Sequence, residues 1–255
     1  MKTKKILVRS VLVLVALAAL CACAWCVWYI IQYYQGQSFG DRMRTNAPDD
    51  AGSFQLGRVK IPVDFDELQA MNPDIYAWIR IPDTQIDYPV LQREEDDTYY
   101  LRHNSSRRYA FAGSIYTEEA NSRDFKDPMT VLYGHNMRDG SMFQNLHFFE
   151  DETFFAEHPE FFIYLPGYRL TYEIFAAYRF DDTHLLGAFD FSKKKVRRAY
   201  IREVFAGISM GQNTREDVKV TAKDKLVTLS TCTSDQADGR YLVQAVLRKK
   251  EKTRQ

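Results

Sequence analysis

The chain has 255 residues, of which 45% are hydrophobic and 27% are charged, and its formal net charge at pH 7 is zero. This length and composition support one large or two small folded domains with a hydrophobic core, and they exclude a disordered chain. The basic residues are concentrated at the start, where Lys2, Lys4, Lys5 and Arg9 lie within nine residues. Because the remainder is slightly acidic, no nucleic-acid-binding surface is expected.

Residues 11–31 (VLVLVALAALCACAWCVWYII) contain no charge. A helix that rises ~1.5 Å per residue would cross the ~30 Å hydrocarbon layer over such a run. The segment therefore predicts a single transmembrane helix, preceded by a cytoplasmic basic segment at residues 1–10. The positive-inside rule then places the bulk of the chain outside the cell.

Two processing signals are alternatives to this anchor. A cleaved signal peptide also begins with basic residues, and Leu-Cys-Ala-Cys at 20–23 faintly resembles a lipoprotein cleavage site. A signal core has about 7 to 15 apolar residues. The apolar run here continues through Trp25 to Ile31 with no small-residue site followed by polar sequence, which favours an uncleaved anchor.

The outer part of the chain has a single cysteine, Cys232, because Cys21, Cys23 and Cys26 all fall inside the apolar run. Cys232 therefore cannot form an internal disulfide. A lone extracellular thiol is exposed to oxidation, so we expect it either to be buried as a small hydrophobe or to act as a nucleophile.

The rest of the chain divides into three parts. Residues 32–60 are polar and interrupted by glycines and Pro48, which is typical of a linker. Residues 61–250 form the predicted catalytic domain, which opens with a short helix capped by Asp64. Residues 251–255 form a polar tail.

Short alternating runs predict about eight strands in this domain. Two of them, YAWIRIP and QIDYPVLQ, are separated by a turn at Pro82-Asp83-Thr84, and the others lie at residues 111–117, 130–135, 160–165, 169–180, 225–232 and 240–248. Helical periodicity marks residues 142–155 and 192–210, the second with a serine cap at Ser192. The pattern predicts a mostly antiparallel barrel or sandwich with peripheral helices.

Cys232 ends the β-branched run KLVTLSTC, and the next alternating run begins at Arg240. If the two runs pair as antiparallel strands through the intervening loop, Arg240 lies beside Cys232. A guanidinium there favours a thiolate and can donate to an oxyanion. The alternative is a buried structural cysteine beside a surface arginine.

A nucleophilic thiol needs a group that moves protons, and the chain has five histidines. His135 is the strongest candidate because it ends the apolar run TVLYGH, as Cys232 ends its own run. His147 and His158 lie in or beside apolar helical patterns, where packing is the commoner role. His103 and His184 lie in polar segments and are expected at the surface.

The pair TLSTC and YGHN, with an arginine eight positions after the cysteine, resembles the sortases. The segments YAWIRIPDTQIDYPVLQ, YYLRHN and FAGSIY, and the long helix before the cysteine strand, are similar to class B sortases. The resemblance covers roughly residues 65–247. It implies a closed eight-stranded β-barrel with peripheral helices and a membrane-anchored cysteine transpeptidase of Gram-positive bacteria.

In such an enzyme Cys232 would attack the carbonyl after Thr in a C-terminal sorting motif of a secreted protein, giving a thioester. An amine, typically on a peptidoglycan precursor, would resolve it. The resemblance gives His135 the acid and base steps and assigns substrate and oxyanion binding to Arg240. It implies supporting roles for Asn104, Tyr133, Ser230 and Thr231, whose other explanation is strand packing and backbone capping.

Several points stay open in the sequence. Thr233 departs from the acidic residue that many class B members carry after the cysteine, and class B similarity favours a motif that opens with Asn-Pro or another pair than Leu-Pro. A pilin-polymerising sortase would use the same three residues. The alternative from a different functional class is a membrane-tethered binding module with a structural cysteine. A papain-like protease has its cysteine before its histidine, and L,D-transpeptidases carry a Ser-His-Gly-Cys cluster that is absent here.

No metal site or other cofactor is expected, because the histidines are scattered and Glu94-Glu95-Asp96-Asp97 lacks the spacing of a calcium loop.

Overall fold

The computed structural model describes residues 2–43, 59–236 and 238–254. The strands are β1 Val59–Lys60, β2 Ile75–Arg80, β3 Asp87–Leu91, β4 Ile115–Tyr116, β5 Met129–Tyr133, β6 Glu160–Leu165, β7 Tyr168–Phe180, β8 Asn213–Thr214, β9 Leu226–Cys232 and β10 Arg240–Arg254. The helices are α1 Lys2–Met43, α2 Phe65–Met71, α3 Glu152–Glu157, α4 Leu185–Ala188 and α5 Lys194–Ala206, with 3₁₀ helices at Tyr99–Leu101 and Gln144–Glu150.

Eight of these strands form a closed barrel. Their order is β10-β9-β5-β4-β3-β2-β6-β7, and an antiparallel pairing of β10 with β7 closes the ring. Strand β9 runs parallel to β5, and β3 runs parallel to β4, whereas the other neighbours in the ring are antiparallel. The predicted eight-stranded barrel is therefore confirmed, and the short strands β1 and β8 extend it outside the ring.

The interior of the barrel is filled by apolar side chains that alternate along the strands. Fully buried examples come from opposite sides of the ring: Ala77, Ile79, Val90, Leu132, Ile163, Val243 and Ala245. Each buried Val, Leu or Ile side chain contributes about 1.5–3 kcal/mol relative to an exposed one. Close packing of this kind makes the barrel a rigid frame for the groups at its ends.

Helix α5 packs on the outer face of the barrel. Its buried residues Tyr200, Ile201 and Val204 contact a second apolar cluster that includes Phe175 and Leu242. The helix predicted over residues 192–210 is thus present but shorter. The predicted serine cap is wrong, because the cap position falls on Lys193 and the Ser192 hydroxyl donates instead to Asp190.

The helix predicted over residues 142–155 is two helices. A 3₁₀ helix ends at Glu150, and α3 begins at Glu152. Asp151 separates them with extended backbone, and its carboxylate accepts a hydrogen bond from the Phe154 amide at 2.8 Å. An N-cap inside an apolar periodic run therefore starts a new helix at that point.

Two strand boundaries also differ from expectation. Only Ile115 and Tyr116 of the run 111–117 are paired, because Gly113 turns the chain with φ +59 just before them. Strand β10 continues past residue 248 to Arg254, so the predicted polar tail is strand up to that residue. Most of the predicted linker after residue 43 lies outside the described residues.

Helix α1 contains one stretch, Arg9–Ile31, that is long and apolar enough to cross a membrane, judged by length and composition alone. Its side chains are exposed to solvent along the whole stretch. A helix that is apolar on all sides and buries none of them suits a lipid environment.

Candidate active site

The register of three strands determines which groups meet at one end of the barrel. Cys232 lies directly opposite Arg240 in the antiparallel pair β9–β10, as the sequence predicted. In the parallel pair β5–β9, Tyr133 lies beside Ser230, and the Gly134 amide donates to the Ser230 carbonyl at 3.1 Å. The chain therefore delivers His135 to the same barrel end as Cys232.

A cavity of about 270 Å³ opens at this end. It is bordered by β4, β5, β9 and the segment that leads from β7 into α4. Six of the predicted site residues line it: Tyr133, His135, Ser230, Thr231, Cys232 and Arg240. Cys232, His135 and Arg240 are each partly exposed, so all three groups are accessible to a ligand in the cavity.

Asn104, the seventh predicted residue, is not among the residues that border this cavity. Its side-chain oxygen accepts hydrogen bonds from the amides of Ser106 and Arg108, both at 3.0 Å, and so it holds a turn. Its side-chain nitrogen is buried without a partner among the described residues. Asn104 borders a separate, larger cavity beside the β2–β3 turn.

The His135 ring is held from two sides. Nε2 lies 2.8 Å from the Leu101 carbonyl oxygen, and the ring lies parallel to that of Phe111 with centroids 6.4 Å apart. A carbonyl oxygen only accepts, so Nε2 carries the proton of that bond. In the neutral imidazole Nδ1 is then the nitrogen with a lone pair for proton transfer.

The peptide unit that follows Cys232 is fixed at both ends. The Cys232 carbonyl oxygen lies 2.9 Å from Asn136 Nδ2 and 3.0 Å from His147 Nε2. The Thr233 amide donates to the Gly239 carbonyl at 3.0 Å. The backbone at the thiol therefore has one defined orientation. Sequence reasoning missed both contacts to the carbonyl, since a backbone acceptor gives no signal in the residue pattern.

The Arg240 guanidinium is only lightly engaged. Its Nη1 donates to the Gly239 carbonyl at 3.1 Å, and no carboxylate among the described residues forms an ion pair with it. Arginine has five N–H donors in a planar fork. Most of them remain available to a carbonyl or an oxyanion in the cavity.

Two buried hydroxyls in the cavity wall lack partners among the described residues, those of Tyr133 and Thr231. Burial raises the pKa of Tyr133 far above its ordinary value, and the Glu118 carboxylate adds to the shift. Burial also raises the pKa of the neighbouring Tyr116 to about 12. Both phenols therefore stay protonated. A buried hydroxyl without a partner costs about 1–3 kcal/mol.

The remaining predicted features have simple outcomes. His184, expected at the surface, is half exposed, donates from Nε2 to Glu118 and caps α4. Within the described parts of the chain, no cluster of His, Cys, Asp and Glu side chains has a geometry that could hold a metal ion.

Comparisons with known proteins define the class. Residues 79–248 match the model of the sortase domain family. Sortase B of Listeria monocytogenes is 38% identical over 183 residues, which cover 71% of this chain and 72% of that protein.

Solved structures agree. Sortase B of B. anthracis in complex with AAEK1 superposes with a TM-score of 0.70 at 31% identity, covering 86% of this chain and 99% of that one. A class B sortase of Streptococcus pyogenes involved in pilus biogenesis has a TM-score of 0.63 at 31% identity, covering 73% and 98%.

A thiol at the end of a closed eight-stranded barrel, with these relatives, defines a cysteine transpeptidase. The chain belongs to the sortase family, and its similarity is to the class B members.

Proposed function

We propose that this protein is a membrane-anchored sortase that cleaves a C-terminal sorting motif of secreted proteins after Thr and transfers the acyl group to a cell-wall amine. The observation that carries the proposal is the register of Cys232 opposite Arg240, with His135 at the same barrel end and all three on one cavity.

The reaction would run in two halves. The Cys232 thiol passes its proton to His135 Nδ1, the thiolate adds to the carbonyl carbon after Thr, and the oxyanion that forms accepts hydrogen bonds from Arg240. His135 gives a proton to the leaving amine as the C–N bond breaks, which leaves a thioester on Cys232. An incoming amine then attacks the thioester, His135 takes a proton from it, and a new amide forms as the thiolate departs.

The proposed placement is supported by the apolar stretch Arg9–Ile31 and by the basic residues that precede it. Residues 1–10 remain in the cytoplasm, residues 11–31 cross the membrane, and residues 32–60 connect to the catalytic domain at 61–250 outside the cell. The enzyme then meets its partners on the outer face: secreted proteins that carry the sorting motif, and a peptidoglycan precursor or another amine.

Pilin polymerisation is the second candidate, because the S. pyogenes relative is involved in pilus biogenesis. The two candidates share the cleavage half and differ only in the amine. Adding peptidoglycan-type amines or pilin lysine peptides to the acyl-enzyme, and measuring which forms product by mass spectrometry, separates them.

The first test uses the full-length protein in detergent micelles with a library of quenched fluorescent sorting-motif peptides. Cys232→Ala is expected to abolish cleavage while circular dichroism stays that of the wild type. Cys26→Ala, in the apolar segment, is the matched control and should cleave normally. Cleavage by the Cys232→Ala protein would contradict the proposal, because Cys232 would not be the nucleophile. A wild-type protein that cleaves no peptide of the library would favour a binding module with a structural cysteine.

The second test addresses the other two groups in the same assay. His135→Ala should cost as much as Cys232→Ala, since nucleophile and acid/base act as a unit. Arg240→Ala should lower kcat by about 10² to 10³ if it donates to the oxyanion. Arg202→Ala, on the exposed face of α5, is the control. Normal turnover by Arg240→Ala would remove that residue from the mechanism.

A further inference from the structure

A chain of polar contacts holds the backbone of the candidate nucleophile through side chains that do not border the cavity. It begins at the Cys232 carbonyl oxygen, which both Asn136 Nδ2 and His147 Nε2 approach. We call Asn136 and His147 the carbonyl clamp. Asn136 directly follows His135, so the clamp also joins the two strand ends that carry the sulfur and the imidazole.

His147 is itself fixed in position. Its Nδ1 lies 2.8 Å from a Glu150 carboxylate oxygen, and its ring stacks on that of Tyr241 with centroids 5.0 Å apart. The side chain is only 16% exposed. Because a carboxylate only accepts, Nδ1 carries a proton. The ring orientation is therefore set from the Nδ1 side as well as from its face.

The Nε2 side keeps its contact in either protonation state. In the doubly protonated ring, Nε2 donates to the Cys232 carbonyl. In the singly protonated ring, Nε2 accepts from the Asn136 amide nitrogen, which lies 3.1 Å away and also reaches the carbonyl. The three groups thus stay connected through His147.

The contacts continue to the loop between Cys232 and Arg240. Glu150 lies 3.7 Å from Arg179, and Arg179 forms an ion pair with Asp235 in that loop at 2.5 Å. The hydrogen bond to Asp235 raises the pKa of Arg179 above its ordinary value despite the opposing effect of burial, so the guanidinium stays charged. The same connected side chains, His147, Glu150 and Arg179, therefore contact both the Cys232 carbonyl and the loop between Cys232 and Arg240.

We propose that His147 is a positioning residue for the acyl transfer, which sets the orientation of Cys232 through its carbonyl and, through Glu150 and Arg179, that of the loop leading to Arg240. This inference rests on the proposed function. It assigns His147 no contact with the substrate.

The test compares two histidines in full-length protein in detergent micelles. His158 is the matched control: it is 15% exposed, stacks on Phe154, and forms hydrogen bonds away from the cavity. Both are replaced by Phe, which keeps the stacking ring and removes the nitrogens. His147→Phe should lower kcat for sorting-peptide cleavage by about 10-fold or more with KM little changed, since misplacements on the order of 1 Å cost up to about 100-fold.

His158→Phe should leave kcat unchanged, and His147→Gln, whose amide can donate to the carbonyl, should restore part of the loss. Equal kcat in the two Phe variants would overturn the inference. If His147→Phe does not fold, Arg179→Met replaces it, with Arg202→Met as its control. Arg179 is half exposed, and its loss should lower kcat several-fold without unfolding.

A second readout does not depend on cleavage. The rate of Cys232 alkylation by iodoacetamide, followed by mass spectrometry, should fall in His147→Phe and not in His158→Phe, because the sulfur loses its defined orientation. Unchanged alkylation would overturn the inference. If the wild type cleaves no peptide but the alkylation difference appears, the proposed function fails, whereas the orientation of the Cys232 thiol by His147 is still supported.

Discussion

Gly134 determines how closely β5 passes its neighbours just before His135. A Cβ atom at this position would lie 2.5 Å from Ile115 Cδ1 and 2.7 Å from ring atoms of Phe143. Both neighbours are almost completely buried, so neither can move aside without opening the core. The glycine is required here by close approach and not by its backbone angle.

Gly134→Ala is therefore expected to lower the free energy of unfolding by about 1–3 kcal/mol and to displace His135. Thermal unfolding and peptide cleavage measure the two effects. Gly167→Ala is the control: its φ of +79 in the β6–β7 turn strains an alanine, but nothing lies within 4 Å of the added Cβ. It should lose stability and keep activity. Wild-type activity in Gly134→Ala would show that His135 tolerates the shift.

The placement of Cys232, His135 and Arg240 at one end of the barrel could be predicted from the sequence because each lies at one end of an apolar alternating run. Such a position leaves the side chain at the rim of a sheet, where catalytic groups are commonly held. His147 could not be recognised, since its neighbours in sequence are Phe148 and Leu146 and its partner is a backbone carbonyl. Asn136 stands inside the recognised YGHN motif, yet its contact with Cys232 spans 96 residues.

At the scale of elements, α2 shows how much a single cap contributes. The Asp64 carboxylate accepts hydrogen bonds from the amides of Asp66 at 2.9 Å and Glu67 at 3.1 Å. Asp64→Ala should lower the free energy of unfolding by about 1 kcal/mol, and Asp64→Ser should restore most of it. Denaturant titration measures both. Equal stability of the alanine and serine variants would mean that the cap does not hold the helix.

The segment that carries Leu101, the partner of His135, is anchored by Asp74. Burial raises the pKa of the Asp74 carboxyl, but the Tyr100 hydroxyl and the Arg93 and Arg107 guanidiniums lower it by more, so its pKa lies below the ordinary value. A carboxyl with a depressed pKa contributes stability above its unfolded pKa of about 3.9 and loses it as pH falls through the folded value.

Asp74→Asn should therefore be less stable than wild type at pH 7. The difference should shrink as the pH falls from about 4, where the carboxyl of the unfolded chain becomes protonated, down through the lower pKa of the folded protein. Urea unfolding at a series of pH values tests this. Asp217→Asn, on an exposed turn, is the control and should follow the wild type throughout. A difference that stays constant down to low pH would exclude the ionised carboxylate as the cause.

Most strands of the barrel could be predicted because their alternation of apolar and polar residues is long enough to be recognised in the sequence. The pairing of β9 with β10 could even be placed in register from the short loop between them. Strands β1 and β8 could not, since two residues carry no periodicity. The break at Asp151 was missed because the apolar spacing of Phe149, Phe154 and Phe155 continues across it.

At the scale of the molecule, the orientation in the membrane can be tested on intact cells with a membrane-impermeant maleimide. Cys232 should react from outside, whereas a cysteine introduced as Thr3→Cys in Cys232→Ala protein should react only after permeabilisation. The Cys232→Ala protein alone gives the background from the three cysteines of α1. Labelling of Thr3→Cys in intact cells would reverse the proposed topology.

The pairing of β1 with the last residues of β10 determines where a pulling force would enter the barrel. Val59 and Lys60 join the barrel beside Thr253 and Arg254, whereas Arg240 begins the same strand, about 45 Å away along an extended backbone. A force applied through the N-terminal segment would load the Thr253–Arg254 end of β10 first. Cys232 and Arg240 would stay in place, because they lie at the opposite end of the strand from the residues that bear the force.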